Sequence, residues 1–460
     1  ILELNLYGLD IDDRPAQLAR FTVLMMARAD DRHILNPERP VTLNIIPIQE
    51  SKGLNMEELA GTLLKERTVE VGGPRERQQY LVQPTQEQAY LKGKDKPEVS
   101  QDELNSLLHL FQDAKTFGSL LTVPDKVKEA LPRLEKLIEK ALSWEEYSKG
   151  MARKILPLAR QATLLATEYD FVVANPPYMG SKGLNAELKS FLKDNYSDYK
   201  SDLFSAFIVS NLEMSKEYAQ LGFMSPYVWM FISSYEELRD FLLNEKTITS
   251  LIQLEYSGFE GATVPICTYT IENSYLPKFK GSYVRLSDFR GSNNQAPKAL
   301  EAIRNLNCGW YYTASGADFK KIPGSPIAYW APKTVFESFN NFPLLKKFVP
   351  AKSGQNTGDN ARFTRLWFEV NYYNINFRCR ELSETNVEIP KWYPYNKGGD
   401  YRKWYGNFEY IVNWAYNGKE IKEYAVERNK GKHWSRYIQN LDYMLLEGIT
   451  WTFIRSSYFG

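Results

Sequence analysis

Histidine and cysteine are scarce, with three of each in 460 residues. Cys267, Cys308 and Cys379 lie far apart and form no CxxC pair, so neither a zinc pattern nor a disulfide framework is legible. No metal site is expected, and a reducing compartment fits best. Long apolar runs are missing too. None approaches the roughly 18 residues that span a bilayer, and no signal-peptide pattern opens the chain. The expectation is a soluble, cytoplasmic protein without a membrane partner. The formal net charge is only +1, so any affinity for a polyanion must come from a local patch.

What is abundant is aromatic: 14% of residues, with 30 Tyr and 10 Trp. Two or three domains are expected at this length, because single cores rarely grow beyond roughly 250–300 residues. The chain opens inside "ILELNLYGLDID" and ends in "GITWTFIRSSYFG". Both stretches have strand character, and the sequence reads as part of a longer polypeptide.

Residues 4–11 predict a buried strand ending in acids. Pro15 then suits a first helical turn, and Ala16, Ala19, Phe21, Val23 and Met26 supply a mostly apolar helix. "VTLNIIPIQES" (41–51) predicts a second strand with Gln49, Glu50 and Ser51 at its carboxyl end. Residues 51–165 read as a helical insertion, in which Val127, Leu131, Leu134, Ile138 and Leu142 fall at spacings of three and four. Strand–helix alternation resumes at "YDFVVANPPY" (169–178). A helix from Asp202 through Phe204, Phe207, Ile208 and Leu212 follows, then strands near 221–226, 249–255 and 265–272. This predicts an α/β fold with a mostly parallel sheet covered on both faces. The expected domains are 1–50 and 166–280 for the core, 51–165 for the insertion and 281–460 for a C-terminal α+β domain. Window 391–440 holds ten Lys/Arg against five Asp/Glu, which makes it the local basic patch.

In doubly wound sheets, ligands bind outside the carboxyl ends of the strands. "FVVA" delivers Asn175 to that edge. Pro176 and Pro177 fix their own φ and lack N–H groups, so the loop is stiff and its carbonyls are free to accept. The Asn175 side-chain oxygen and the Pro176 carbonyl can together accept both protons of a planar amino group, which turns the nitrogen lone pair toward an electrophile. Tyr178 offers a ring face for stacking. Such a site suits methylation of an exocyclic amine. The alternative is an ordinary tight turn, since NP and PP are loop dipeptides.

"NPPY" after "FVVA", with "GLDID" on an earlier strand, resembles the class I, gamma-type S-adenosyl-L-methionine-dependent amino-methyltransferases with their Rossmann-like sheet. More narrowly, "ANPPYMGSKGLN", "DAKTFGSLL", "KSDLFSAFI", "FEGATVPICTY", "TGDNARF", "KWYPYNKGGDYRKWYGN" and "EGITWTFI" together resemble the PglX family, adenine-specific DNA methyltransferases of BREX phage-defence systems. The likeness covers nearly the whole chain. It implies S-adenosyl-L-methionine as cofactor, double-stranded DNA and other BREX defence proteins as partners, and the bacterial cytoplasm as location. Asn175, Pro176, Pro177 and Tyr178 would be the catalytic motif.

The resemblance also implies roles elsewhere. Asp10 matches the acid that binds the cofactor ribose, or else is a turn acid shared with Asp12 and Asp13. Ile11 would pack on the cofactor adenine, or simply in the strand. Glu50 stands where relatives carry an acid toward the cofactor adenine, although Gln-Glu replaces the usual Gly-Asp. Asp202 lies near the cofactor, or caps its helix. Tyr269 or Phe259 would pack on a flipped base, or in the core. The glycine-rich cofactor loop belongs on the strand before "GLDID", where this sequence does not reach. Residues 281–460 would be the target-recognition domain, cut short at its C-terminus.

For DNA contact, "KWYPYNKGGDYRKWYGN" interleaves Lys391, Lys397, Arg402 and Lys403 with Trp392, Tyr393, Tyr395, Tyr401, Trp404 and Tyr405 around Gly398–Gly399. Arg362 in "TGDNARF" joins them. These aromatics are alternatively core. Cytosine-carbon methylation would need a Pro-Cys nucleophile, and Cys267, preceded by "VPI", is not in that context. Three rivals stand beside the adenine methyltransferase: a protein glutamine methyltransferase, a fused type II restriction–modification enzyme, and a non-catalytic DNA-recognition component of a defence complex. More than 280 residues follow Tyr178, which disfavours the first.

Overall fold

The computed structural model describes residues 1–64, 99–256, 258, 264–398 and 405–449. They form two compact units, Ile1–Phe342 and Pro343–Gly460.

The first unit begins with β1 (Tyr7–Asp10), which pairs in parallel with β2 (Asn44–Pro47). Between them runs the Asp13–Asp30 helix, started by Asp12, whose side chain accepts from the Arg14 N–H. Only Ala16 of this helix is buried; Phe21 and Met26 are 61% and 68% exposed, although their apolar character predicts packing. The polar stretch after β2 is helical where described. Helices Met56–Leu63, Gln101–Leu110, Asp125–Ala141 and Glu146–Ala166 enclose their own apolar cluster, and Val127, Leu131, Leu134 and Ile138 are buried in it. Each such side chain contributes ~1.5–3 kcal/mol of burial.

The chain returns as β3 (Tyr169–Ala174) and continues through β4 (Ser215–Pro226), β5 (Thr247–Gln253), β6 (Ile266–Glu272), β7 (Gly281–Arg285) and β8 (Tyr311–Ala314). Their order in the six-stranded sheet is β3-β4-β6-β5-β7-β8. The sheet is mixed: β3 with β4 and β5 with β7 are parallel, whereas β6 runs antiparallel to both its neighbours and β8 to β7. The expected mostly parallel sheet is thus corrected. The chain turns back after β5 and slots β6 between β4 and β5, an order that strand–helix alternation cannot reveal. The Leu203–Glu213 helix packs on β4, with Phe204, Ile208 and Leu212 fully buried.

Among the described residues β3 pairs only with β4, and β1 only with β2. Phe171 and Val173 of β3 are 74% and 85% exposed, yet the rings of Tyr7 and Tyr169, at the starts of β1 and β3, lie 5.5 Å apart. Strands with this apolar content normally lie inside a sheet. The expected domain boundary at 280 falls inside the sheet, because β7 and β8 complete it; the break comes instead after Phe342.

The second unit is built on a three-stranded antiparallel sheet in the order β10-β11-β9, formed by β9 (Thr364–Leu366), β10 (Trp392–Pro394) and β11 (Tyr410–Asn413). The Ala415–Arg428 helix packs beside it, and Phe363, Tyr393, Val412, Trp414 and Ile421 form its core. The strand expected in 448–460, apart from Gly448 and Ile449, and the part of "FEGATVPICTY" before Val264 lie outside the described residues.

Candidate active site

β3 ends at Ala174, and Asn175–Tyr178 leave the sheet as an irregular loop. Asn175 is exposed, Pro176 buried and Tyr178 half-buried between two apolar clusters. The Tyr178 hydroxyl donates to Asn175 Oδ1 at 2.9 Å. Burial raises the pKa of that hydroxyl above the ordinary tyrosine value.

The loop is held from behind by Asp202. Its Oδ1 accepts from the Met179 N–H at 3.1 Å and from the Phe204 N–H at 3.3 Å, so one carboxylate caps the Leu203–Glu213 helix and fixes the residue after Tyr178. Gly180 and Asp202 form an antiparallel bridge, and the Leu203 N–H donates to the Met179 carbonyl at 3.2 Å. Burial raises the Asp202 pKa against the lowering effect of the N–H groups around it. The residue therefore acts as cap and loop anchor together.

A second cluster forms at the carboxyl ends of β1 and β2. Asp10 Oδ1 accepts from the Asp12 N–H at 2.8 Å. Ile11 is 43% exposed, and its carbonyl accepts from Lys115 Nζ at 2.7 Å. Glu50 Oε1 accepts from the Lys115 N–H at 2.9 Å. Lys115 Nζ also lies 3.8 Å from Asp13, whose Oδ1 accepts from Gln49 Nε2 at 2.8 Å. The buried Gln161 amide clasps the backbone of Gln49, accepting from its N–H at 2.8 Å and donating to its carbonyl at 2.9 Å. Asp10, Ile11 and Glu50 thus lie at neighbouring strand ends, and Lys115 ties two of them, Ile11 through its side chain and Glu50 through its backbone N–H. Nothing in local spacing singles out Lys115 or Gln161, because both act across the fold.

Lys115 belongs to the segment 113–120, which also packs toward the elements around the "NPPY" loop. Phe117 stacks on Phe191 with centroids 4.4 Å apart, and the Leu120 carbonyl accepts from the Tyr196 hydroxyl at 3.1 Å. The segment therefore spans from the β1–β2 cluster to the helices that flank the "NPPY" loop.

A model of the Eco57I restriction-modification methylases matches residues 4–259, more than half of the chain and both clusters. The chain belongs to this family. Over its full length it is also 38% identical to an adenine-specific methyltransferase, BrxX, of Escherichia coli O9:H4 (strain HS), and 30% identical to an adenine-specific methyltransferase, PglX, of Lacticaseibacillus casei (strain Zhang). It spans about a third of the length of each, 35% and 36%. Among solved structures, a type I restriction-modification methyltransferase subunit from Streptococcus thermophilus aligns at 19% identity and TM-score 0.28, over 37% of this chain and 44% of that one.

The residues expected to touch DNA in this Eco57I-family chain have different surroundings. Tyr269 is 1% exposed on β6; its hydroxyl shares a hydrogen bond with Ser225 at 3.1 Å and its ring packs on Phe223 and Trp229, so it is core. Lys391 Nζ pairs with Glu420 at 3.1 Å, Lys397 lies over the Tyr410 ring at 4.3 Å, and Arg362 covers Phe363 and Tyr424 at 4.9 and 5.3 Å. Of these three, Arg362 and Lys397 remain exposed. Phe259, Arg402 and Lys403 lie outside the described residues. Cys267 is fully buried and its thiol is pushed up to about 12 by burial, which removes it as a nucleophile. Among the described residues no group of three or more His, Cys, Asp or Glu could hold a metal ion, and no helix is long and apolar enough to cross a membrane.

Proposed function

We propose that the polypeptide containing this chain is a site-specific DNA adenine methyltransferase that modifies the N6 amino group of a flipped adenine. The observation that carries this reading is the loop at the end of β3, where Asn175 is exposed, Tyr178 bonds it, and Asp202 holds the next residue, Met179, by its N–H. Asn175 Oδ1 has two acceptor sites. The Tyr178 hydroxyl takes one and orients the carboxamide; the other remains for an adenine N–H. The Pro176 carbonyl would take the second N–H, leaving the nitrogen lone pair directed out of the ring plane. Stacking on Tyr178 would offset part of the few kcal/mol spent in extruding the base.

The β1–β2 cluster fits an adenosyl cofactor by its chemistry: a strand-end carboxylate at Asp10 for ribose hydroxyls, an apolar Ile11 that remains half open, and Glu50 on the neighbouring strand end. S-Adenosyl-L-methionine would supply an activated methyl group on a sulfonium. The contribution of this chain is to hold the amine in line with its lone pair turned toward the methyl group, which is catalysis by positioning. BREX phage defence, with other BREX proteins as partners and the bacterial cytoplasm as setting, is proposed from the family likeness over the whole chain.

The test is methyl transfer to duplex DNA by the full-length polypeptide, read as N6-methyladenine by sequencing host DNA with and without the gene. Asn175→Ala is expected to abolish the mark while DNA binding persists. An unmarked wild-type genome, or a mark that survives Asn175→Ala, would sink the proposal.

A further inference from the structure

The loop 371–380, "NYYNINFRCR", holds three aromatic residues, two arginines and no acid. Tyr372 is 66% exposed, Tyr373 87% and Phe377 43%. Large side chains left in water forgo much of the stabilisation that burial supplies, so a slack loop would fold its rings inward. Here two side-chain turns and pairing with β10 tie the backbone. Asn371 Oδ1 accepts from the Tyr373 N–H at 3.0 Å, and Asn376 Oδ1 from the Arg378 N–H at 2.9 Å. Between these turns Ile375 is buried and bridges Trp392 of β10. On either side the Asn376 N–H donates to the Trp392 carbonyl at 2.9 Å, and the Lys391 N–H to the Asn374 carbonyl at 3.1 Å. One apolar anchor thus points inward and three rings point outward, with Tyr372 lying 5.7 Å from Phe377 and 6.3 Å from Tyr373.

Charge completes the pattern. Arg378 and Arg380 are exposed, and neither guanidinium pairs with a carboxylate among the described residues. Glu384, the acid that reaches this loop, accepts from the Arg380 and Glu381 backbone N–H groups at 3.0 and 3.1 Å. By contrast Lys391 Nζ pairs with Glu420 and Lys397 Nζ lies over the Tyr410 ring.

We infer that loop 371–380 is a DNA-contacting surface of the C-terminal unit, with Arg378 and Arg380 holding phosphates and Tyr372, Tyr373 and Phe377 packing on the sugar faces of the duplex backbone. Guanidiniums without a carboxylate partner among the described residues, beside exposed rings, match two features of the duplex backbone, its phosphates and the apolar faces of its sugars. The inference rests on the reading of the polypeptide as a DNA methyltransferase, and it names the surface that would engage the duplex.

The experiment uses the full-length polypeptide and a short fluorescein-labelled duplex, with anisotropy titrations over a range of KCl concentrations. Arg378→Ala/Arg380→Ala is expected to lower the slope of log affinity against log salt by roughly 2, because each phosphate contact contributes about 0.9. Arg378→Lys/Arg380→Lys is expected to restore that slope. Tyr372→Ala/Tyr373→Ala is expected to weaken binding roughly tenfold at fixed salt, through lost apolar contact, with the slope unchanged. Both alanine variants should bind S-adenosyl-L-methionine like wild type, which shows that the first unit is intact. If both bind duplex with wild-type affinity and slope while wild type methylates adenine, the loop assignment is overturned and the methyltransferase reading stands. A wild type that transfers no methyl group, with the variant losses present, sinks the methyltransferase reading and supports the loop.

Discussion

The Tyr178 hydroxyl donates to Asn175 Oδ1 at 2.9 Å across the two prolines that separate them. The bond joins the proposed stacking ring to the proposed amine acceptor, and it separates two contributions of Tyr178. Tyr178→Phe keeps the ring and loses the bond, so methyl transfer should fall about two- to tenfold, the worth of one hydrogen bond. Tyr178→Ala also loses the stacking face and should fall further, and Asn175→Ala furthest. Single-turnover rates on one duplex would order the three. A phenylalanine variant as inactive as the alanine variant would show that the hydroxyl does more than orient Asn175.

Asp202 carries a testable pH dependence. Burial raises its pKa, so the fold favours the protonated form. That stabilising contribution is complete below the ordinary value of about 3.9 and is lost as pH rises through the raised one. At neutral pH the ionised group therefore costs stability. Asp202→Asn keeps an oxygen for the Met179 and Phe204 N–H groups and should melt at or above wild type at pH 7, with the advantage vanishing as pH falls toward 4. Asp202→Ala loses both bonds and should cost ~1 kcal/mol. Equal destabilisation by both substitutions would contradict this account.

Lys115→Met removes the donor to the Ile11 carbonyl and the charge near Asp13, while the Lys115 backbone N–H still reaches Glu50. The expected result is a rise of roughly three- to tenfold in KM for S-adenosyl-L-methionine, with a much smaller change in KM for DNA. Lys115→Arg should recover most of the loss. A rise confined to the DNA term would detach Lys115 from the cofactor cluster.

Gly281 opens β7 so close to β5 that an added Cβ would stand 2.5 Å from the Ile248 carbonyl oxygen. Gly281→Ala must part the two strands and is expected to cost about 2 kcal/mol, read as a lower urea midpoint. An unchanged midpoint would mean that the β5–β7 approach is looser than described.

Much of the local structure was legible in the sequence. The strand before Asn175, the Asp202 cap and the apolar face of Asp125–Ala141 follow from spacing and residue type, which act over a few neighbours. So did the character of the "NPPY" loop, because two prolines restrict the backbone wherever they stand. Placement between distant segments was not legible. Tyr269 has the same composition cues whether it faces a ligand or the core, and only the packing of Phe223 and Trp229 around it decides. β6 enters the sheet between two earlier strands because the chain reverses after β5, and a strand's own residues do not name its neighbours. Lys115 and Gln161 become site residues only when chain separations of 104 and 112 residues close to hydrogen-bond distance. Sequence by itself determined which groups can do the chemistry; tertiary structure decided which of them meet, because hydrogen bonds and close packing reach only a few ångströms in space, whatever the distance along the chain.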